Sequence, residues 1–284
     1  TRSRFDTGQE DESRKGLVLE TSTLGEGGQC TPPLHECYSR EINQVITRAL
    51  HTNSAGAVVA YAFITQTDIF VHENLTTPVQ LRQTFDYDNY GNLIKDFNYG
   101  QVCGGDVTCG YDELLKTIQY AQNLDAWILN TPAIERQTDA AGILASEARM
   151  YYDGDAYVGL PLGQVQRGAL SRKEETLGPL GDNRFIPTQR QAFDTYGNVI
   201  GIMDANDNLM TVDYDALVHT FPLVERLHLG DGQSLSYAAA YNLGFGQITA
   251  ATDYNGHASF YTYDTFGRIT RIVRPGDTLA LPTQ

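Results

Sequence analysis

The arrangement nearest to a metal site in this 284-residue chain is Asp204-Ala-Asn-Asp-Asn208, with Asp215 at the twelfth position. A calcium loop needs a glycine at its sixth position and a bidentate glutamate at its twelfth. Here those positions hold Leu209 and Asp215. The parallel segment Asp253-Tyr-Asn-Gly256 has a glycine where the first has Asp207, which favours a hairpin turn over a cation site. The six histidines, His35, His51, His72, His219, His228 and His257, are scattered, without a spacing that would bring two onto one metal from a strand face. No Gly-x-Ser-x-Gly elbow, Gly-Lys-Ser/Thr phosphate loop or His-Glu-x-x-His is present. The expectation is a non-enzyme with no catalytic residue, no metal and no cofactor.

Two further sets of reactive residues remain. Cys30 and Cys37 enclose six residues, and Cys103 and Cys109 enclose five, with proline or glycine inside each loop. These spacings are wider than the two to four residues usual between zinc ligands. Two local disulfides are favoured over zinc, given an oxidising compartment. The other set is the repeated tyrosine–aspartate pair, which could line a sugar-binding ladder of rings and carboxylates. In a strand, neighbouring side chains point to opposite faces. The favoured reading is therefore structural, with the ring stacked on its neighbours and the carboxylate tying down a turn.

The elements that must position these residues are strands and tight turns. Phe260-Tyr-Thr-Tyr-Asp-Thr-Phe-Gly-Arg-Ile-Thr270 reads as strand, turn and strand, with aromatic and β-branched residues ahead of Asp264 and a positive-φ glycine at Gly267. The unit recurs around Tyr87, Asp88 and Gly91, and around Asp194 and Gly197. A longer form spans Asp204 to Tyr214 and Asp215, and again Asp253 through Gly256 to Tyr263 and Asp264. Degenerate copies are Asp139-Ala-Ala-Gly142 and Tyr152-Asp-Gly154. Self-similarity of this kind marks an array of hairpins, each too small to bury its own face.

These residues resemble the Rhs or YD-repeat family, whose signature is a Tyr-Asp pair, a short glycine turn and an apolar strand. The segment from Met150 to Val165, and more loosely Arg4–Gly8 and Lys15–Glu20, is similar to the middle and early-repeat region of the B component of bacterial three-component (Tc) insecticidal toxins. The resemblance implies a mostly all-β fold of consecutive antiparallel hairpins in a curved, spiralling sheet that is part of a hollow shell. It implies a structural segment that encapsulates and helps deliver a toxic polypeptide, with the rest of a longer parent chain and a C-type toxin subunit or enclosed toxin as partners. A secreted or cell-surface location follows from it. The alternative is an extracellular adhesion module that binds glycan or protein through an aromatic-rich β surface. The family's paired Asp-Pro-x-Gly self-cleavage motifs have no match here.

The expected organisation is a pre-repeat β region over 1–80 and a repeat sheet over 81–284, with an insert near 101–133. Within the insert, Leu114, Leu115, Ile118, Ala121 and Leu124 recur at intervals of three and four, and Asp112 is a potential cap, so a short helix competes over 112–122. Trp127 is expected to anchor the packing of this insert. Leu17–Ser22 is expected as a strand, and Glu41–Leu50 with Ala57–Thr65 as a hairpin. Leu160–Gly163 reads as a corner and Gly168–Arg190 as an irregular excursion. The formal charge of −15 argues against nucleic acid or an anionic membrane as partner. No apolar run approaches the roughly 20 residues of a membrane helix.

Overall fold

The computed structural model describes residues 1–283 except 31–34, 74–76, 106, 108, 111 and 178–183. The interiors of both cysteine loops lie partly outside the described residues, as does the Gly-Pro and Gly-Asp-Asn part of the excursion. Among the described residues the regular secondary structure is almost entirely strand, and eighteen strands belong to one sheet. They are β1 (Arg2–Phe5), β2 (Val18–Gln29), β3 (His35–Thr52), β4 (Val58–Val71), β5 (Val79–Tyr87), β6 (Leu93–Val102), β7 (Leu114–Asn123), β8 (Ile128–Asp139) and β9 (Leu144–Tyr152). There follow β10 (Leu170–Thr176), β11 (Phe185–Phe193), β12 (Val199–Asp204), β13 (Leu209–Tyr214), β14 (Pro222–Gly230), β15 (Gln233–Asn242), β16 (Gln247–Thr252), β17 (Ala258–Tyr263) and β18 (Ile269–Val273). Among the described residues the single helical element is the 3₁₀ turn Glu12–Arg14, capped by Asp11. Among the described residues no helix is long and apolar enough to cross a membrane.

The chain divides into two compact units. The first comprises Thr1–Ala121, Leu129–Ala148 and Thr176–Arg184. Here β3 and β4 form the longest hairpin, registered from Thr52↔Val58 at its turn to Ser39↔Val71 at its open end. The expected hairpin is present, but both strands run well past the residues that predicted it, because β2 and β5 supply ladder partners along their outer sides. The second unit comprises Gln122–Ile128, Arg149–Glu175 and Phe185–Gln284. From β11 to β18 it is an unbroken meander in which each strand pairs antiparallel with the next.

Three expectations are corrected. Residues 114–123 form strand β7, not a helix. The pairs Phe97↔Leu115 and Lys95↔Thr117 show that the edge of β6 satisfies this backbone, and a ready ladder outweighs the weak helical spacing. The excursion contains β10 and the start of β11, so only its middle is irregular or undescribed. Trp127 is not a packing anchor: its side chain is 74% exposed and its φ is 55°.

Fully buried apolar side chains are few. In the first unit they include Phe63, Val102, Ala121 and Ala133; in the second, Met150, Tyr152, Ala192, Ala251 and Val273. Much of the burial therefore falls on small mid-strand alanines. Cohesion rests on ladder hydrogen bonds, cross-strand pairs and turns rather than on a thick core. Buried charge is paired. Glu147, 3% exposed, takes Nε and Nη2 of Arg136 at 2.7 and 2.6 Å. Asp68 takes Arg82 at 2.7 Å together with Gln66 and Gln80.

Candidate functional site

The repeated feature with the most regular geometry is the turn. At Asp88, Asp194, Asp204, Asp253 and Asp264, one carboxylate oxygen accepts the backbone N–H groups two and four residues on, all at 2.8–3.0 Å. The aspartate N–H donates to the carbonyl four residues on, and its own carbonyl receives the N–H three residues on. Asn53 builds the same turn with its amide oxygen. Asp139 closes its turn by accepting the Ile143 N–H at 2.7 Å. The residue before the last lies in the left-handed region. It is glycine at 91, 142, 197, 256 and 267, with φ between 75° and 91°, and Asp207, with φ 65°, in the Asp204 turn. Only glycine adopts this conformation without a Cβ penalty, and aspartate is among the residues that tolerate it best.

The second carboxylate oxygen binds the side chain that ends the turn: Asn92, Asn198, Asn208, His257 or Arg268. Asn92 and Asn198 reach further, donating to the carbonyls of Leu129 and His219 at 2.8 and 2.7 Å. This ties each turn to a later segment of its own unit. The carboxyls of Asp194, Asp204, Asp253 and Asp264 are held below the usual range. The Arg268 backbone N–H and guanidinium do this for Asp264, the Asn208 side chain and N–H for Asp204, and the His257 N–H for Asp253.

Two aspartates organise larger loops. Asp153 accepts four backbone N–H groups, from Gln166, Arg167, Gly168 and Ala169, at 2.7–3.2 Å. Burial opposes its charge, but these donors outweigh burial and lower its acidity range. The degenerate Tyr152-Asp-Gly154 copy is thus a long-loop anchor and not a tight turn. Asp215 accepts five, from Leu217 to Phe221, at 2.6–3.3 Å, and these again outweigh burial.

A cleft of about 360 Å³ lies over Asp153, Arg167, Ser171, Gln191, Phe193 and Asp194. Both its carboxylates are occupied by the turn bonds just described and are stabilised as anions. In this geometry neither is placed to exchange a proton with a substrate near neutrality. Among the described residues no group of three metal-ligating side chains converges. Disulfides join Cys30 to Cys37 and Cys103 to Cys109.

The tyrosines ahead of the turns pack along the sheet. Tyr87 lies 4.6 Å from Phe63 between ring centroids, and burial raises its hydroxyl pKa. The Tyr263 hydroxyl donates to the Ile248 carbonyl at 2.7 Å. Tyr214 pairs with Pro222 across its loop.

The sequence pattern contained one distinction that motif reading passed over. The turns alternate between the two edges of the meander. At β11–β12, β13–β14, β15–β16 and β17–β18, the residue before the turn aspartate or asparagine is aromatic: Phe193, Tyr214, Tyr241 and Tyr263. At each of these the register slips by one residue, so the returning strand carries a bulge. The turns on the other edge, at Asp204 and Asp253, follow Met203 and Thr252, and their registers are unbroken. The third turn of that edge, β14–β15, slips by one residue on its outgoing strand between His228 and Gly230, so the aromatic residue before the turn aspartate or asparagine marks a bulge on the returning strand in particular.

Residues 241–279 match the RHS Repeat family model, spanning the last of these bulged turns. That segment is similar to an Rhs repeat. Most of the chain also superposes on chains of Tc toxin structures. It matches a chain of the TcdB2-TccC3-Cdc42 crystal structure with a TM-score of 0.70 at 13% identity, over 92% of its own length and 16% of that chain. A chain of the Photorhabdus luminescens Tc holotoxin pore gives 0.67 at 14%, over 92% and 16%. The TcdB2-TccC3 crystal structure gives 0.68 at 13%, over 92% and 17%. At such identities the likeness is one of fold, and this chain spans about a sixth of those chains. A search of curated protein sequences finds no match.

Proposed function

We propose that the chain is a non-catalytic wall segment of an Rhs-type shell that encloses a toxic polypeptide and helps deliver it. The observation that carries this reading is the uninterrupted antiparallel meander from β11 to β18, in which the carboxylates of Asp194, Asp204, Asp215, Asp253 and Asp264 are committed to backbone amides at the turns. Each hairpin covers its faces only by lying beside another. Paired strands rotate by roughly 20–25°, so a long array curls. A curled sheet this broad leaves a hollow too wide for side chains to fill. The likeness of fold to chains of Tc toxin complexes supports the same role. The wall belongs in a secreted or cell-surface assembly, where the two disulfides are stable. The partners are the remainder of a longer parent chain and the enclosed polypeptide or C-type toxin subunit.

The test is to produce the parent reading frame with its guest and follow guest proteolysis. Protection that persists until the shell is opened by acid or denaturant is the expected result. A guest digested equally fast with and without the shell overturns the proposal.

A further inference from the structure

Two consecutive bulged hairpins of the second unit, β15–β16 and β17–β18, bring three tyrosines to one hollow. Tyr241 pairs with Ile248 and Tyr263 with Ile269, each at the register slip of its hairpin. Directly opposed residues share a face of the sheet, and so do residues two apart on one strand. Tyr261 therefore projects to the same side as Tyr263 and Ile269. These three, with Tyr241 and Ile248, line a hollow of about 420 Å³. The three rings are half-buried, and Gln247, which also lines the hollow, is exposed.

Two of the rings are fixed within the chain itself. Tyr241 stacks on Phe221, with centroids 5.0 Å apart and planes 27° apart. Phe221 also backs Gly246 of the lining, lying 3.4 Å from where a β-carbon on that glycine would sit. The Tyr263 hydroxyl donates to the Ile248 carbonyl at 2.7 Å, which ties the ring to the neighbouring strand. A wall held in this way has little freedom to lose on binding. The polar partners of the rings stay in the turns: Asn242 and Asp264 accept backbone N–H groups there. Among the described residues no charged side chain lines the hollow, in a chain of net charge −15.

This lining selects a ligand by its chemistry. Ring faces and two isoleucines suit an apolar surface, while the Gln247 amide and the phenolic hydroxyls suit a hydroxyl-bearing rim. A pyranose presents both. The C–H bonds on one of its faces carry partial positive charge and meet the negative face of an aromatic ring, and its hydroxyls point outward to hydrogen-bond partners. The volume falls within the roughly 300–1,000 Å³ of small-molecule sites. We infer that this hollow is a binding site for a neutral hexopyranoside. An ionised sugar finds no opposite charge in it and loses hydration on entry. The site differs from a ladder of rings and carboxylates, because rings alone build it. It does not depend on enclosure of a guest, so sugar binding can fail while the protease-protection result stands, and the reverse.

The intact chain is titrated with methyl β-glucopyranoside and with methyl β-galactopyranoside, and saturation transfer from protein to sugar protons is read by NMR. Saturable binding of at least one is expected, with a Kd on the order of 1 mM and the strongest transfer to the C–H protons of one sugar face. Tyr261→Leu keeps an apolar side chain but removes the ring, and weakens binding about tenfold, whereas Tyr261→Phe retains most of it. Gln247→Ala, a change at an exposed side chain, weakens binding about threefold. Tyr254→Ala, which removes an exposed ring on the opposite edge of the same unit, leaves binding unchanged. Urea unfolding checks that each variant is folded. Displacement of the glycoside by galactosylceramide vesicles or by a galactose-terminated glycopeptide then separates a lipid-borne from a protein-borne sugar. Absence of saturation transfer to both glycosides overturns the inference. So does equal binding by Tyr261→Leu, or binding that Tyr254→Ala weakens as much. Tighter binding of p-cresol than of either glycoside also overturns it, by assigning the hollow to an aromatic side chain of a protein.

Discussion

Replacing a turn glycine by alanine tests whether the repeated turn is as backbone-driven as its geometry implies. Gly197 and Gly256 have φ of 91° and 81°, and a β-carbon added to either would meet nothing within 4 Å. The cost of alanine is then purely conformational, about 1–2 kcal/mol for a left-handed L-residue. Against it stands a gain of about 0.4–1 kcal/mol from a less flexible unfolded chain. The net expectation is a loss of about 1 kcal/mol for each single variant. The two turns lie on opposite edges and share no hydrogen-bond partner, so the double variant should lose about 2 kcal/mol. Asparagine, which tolerates the left-handed region, should cost less than alanine at both sites. The assay is urea unfolding of the intact chain. With a slope of about 2–3 kcal/mol/M, each alanine lowers the midpoint by about 0.3–0.5 M. Alanine variants that unfold at the original midpoint would refute the reasoning, as would asparagine variants as damaged as alanine ones.

Acid should unfold the chain through its turns. The carboxyls of Asp153, Asp194, Asp204, Asp215, Asp253 and Asp264 all lie below their ordinary value in the folded state. Their contribution is therefore complete above the unfolded value of about 3.9 and is lost as pH falls through the lower folded values. Urea midpoints should hold from pH 7 to 5 and fall between 4 and 2, and Asp215→Asn, already unable to ionise, should weaken that dependence; a fall already present between pH 7 and 5 counts against this. The two disulfides should differ in accessibility, since Cys37 is 1% and Cys30 8% exposed while Cys103 lies at the surface. Limited reduction and alkylation, mapped by mass spectrometry, should label Cys103 and Cys109 first; labelling of Cys37 ahead of them would contradict the packing.

The turns were the most legible part of the sequence because their chemistry is local. Aspartate, two residues, glycine and a polar closing residue contain nearly every hydrogen bond the turn makes, so Asp88–Gly91, Asp194–Gly197 and Asp264–Gly267 could be placed from composition alone. Strand identity was harder where the partner, not the segment, decides. Leu114, Leu115, Ile118 and Ala121 satisfy a helical spacing as well as a buried strand does, and only the ladder on β6 resolves them. Residues 168–190 read as irregular because Gly-Pro and Gly-Asp-Asn dominate their centre, yet Leu170–Thr176 is a strand whose Tyr151–Glu174 and Arg172–Tyr151 contacts come from an earlier part of the chain. Trp127 was assigned to packing by residue type, although it sits in the left-handed position of a tight turn where its ring faces outward.

The difference between the two edges explains why one repeat motif takes two forms. A hairpin preceded by an aromatic residue carries an extra residue on its returning strand, and such a bulge bends the strand and increases its local twist. Where methionine or threonine precedes the turn, the register is straight. In the meander from β11 to β18 a bulge on the returning strand occurs at every second turn, on one edge, while on the other edge the β14–β15 hairpin slips by one residue on its outgoing strand, between His228 and Gly230. Straight turns occupy the other edge at Asp204 and Asp253. The tyrosine of the motif is thereby doing more than filling a β-favouring position. It sits at the register slip, and Tyr241 stacks on Phe221 with centroids 5.0 Å apart while the Tyr263 hydroxyl holds the carbonyl of Ile248. The aspartate sets where the chain turns, and the aromatic residue before it accompanies a bulge on the returning strand.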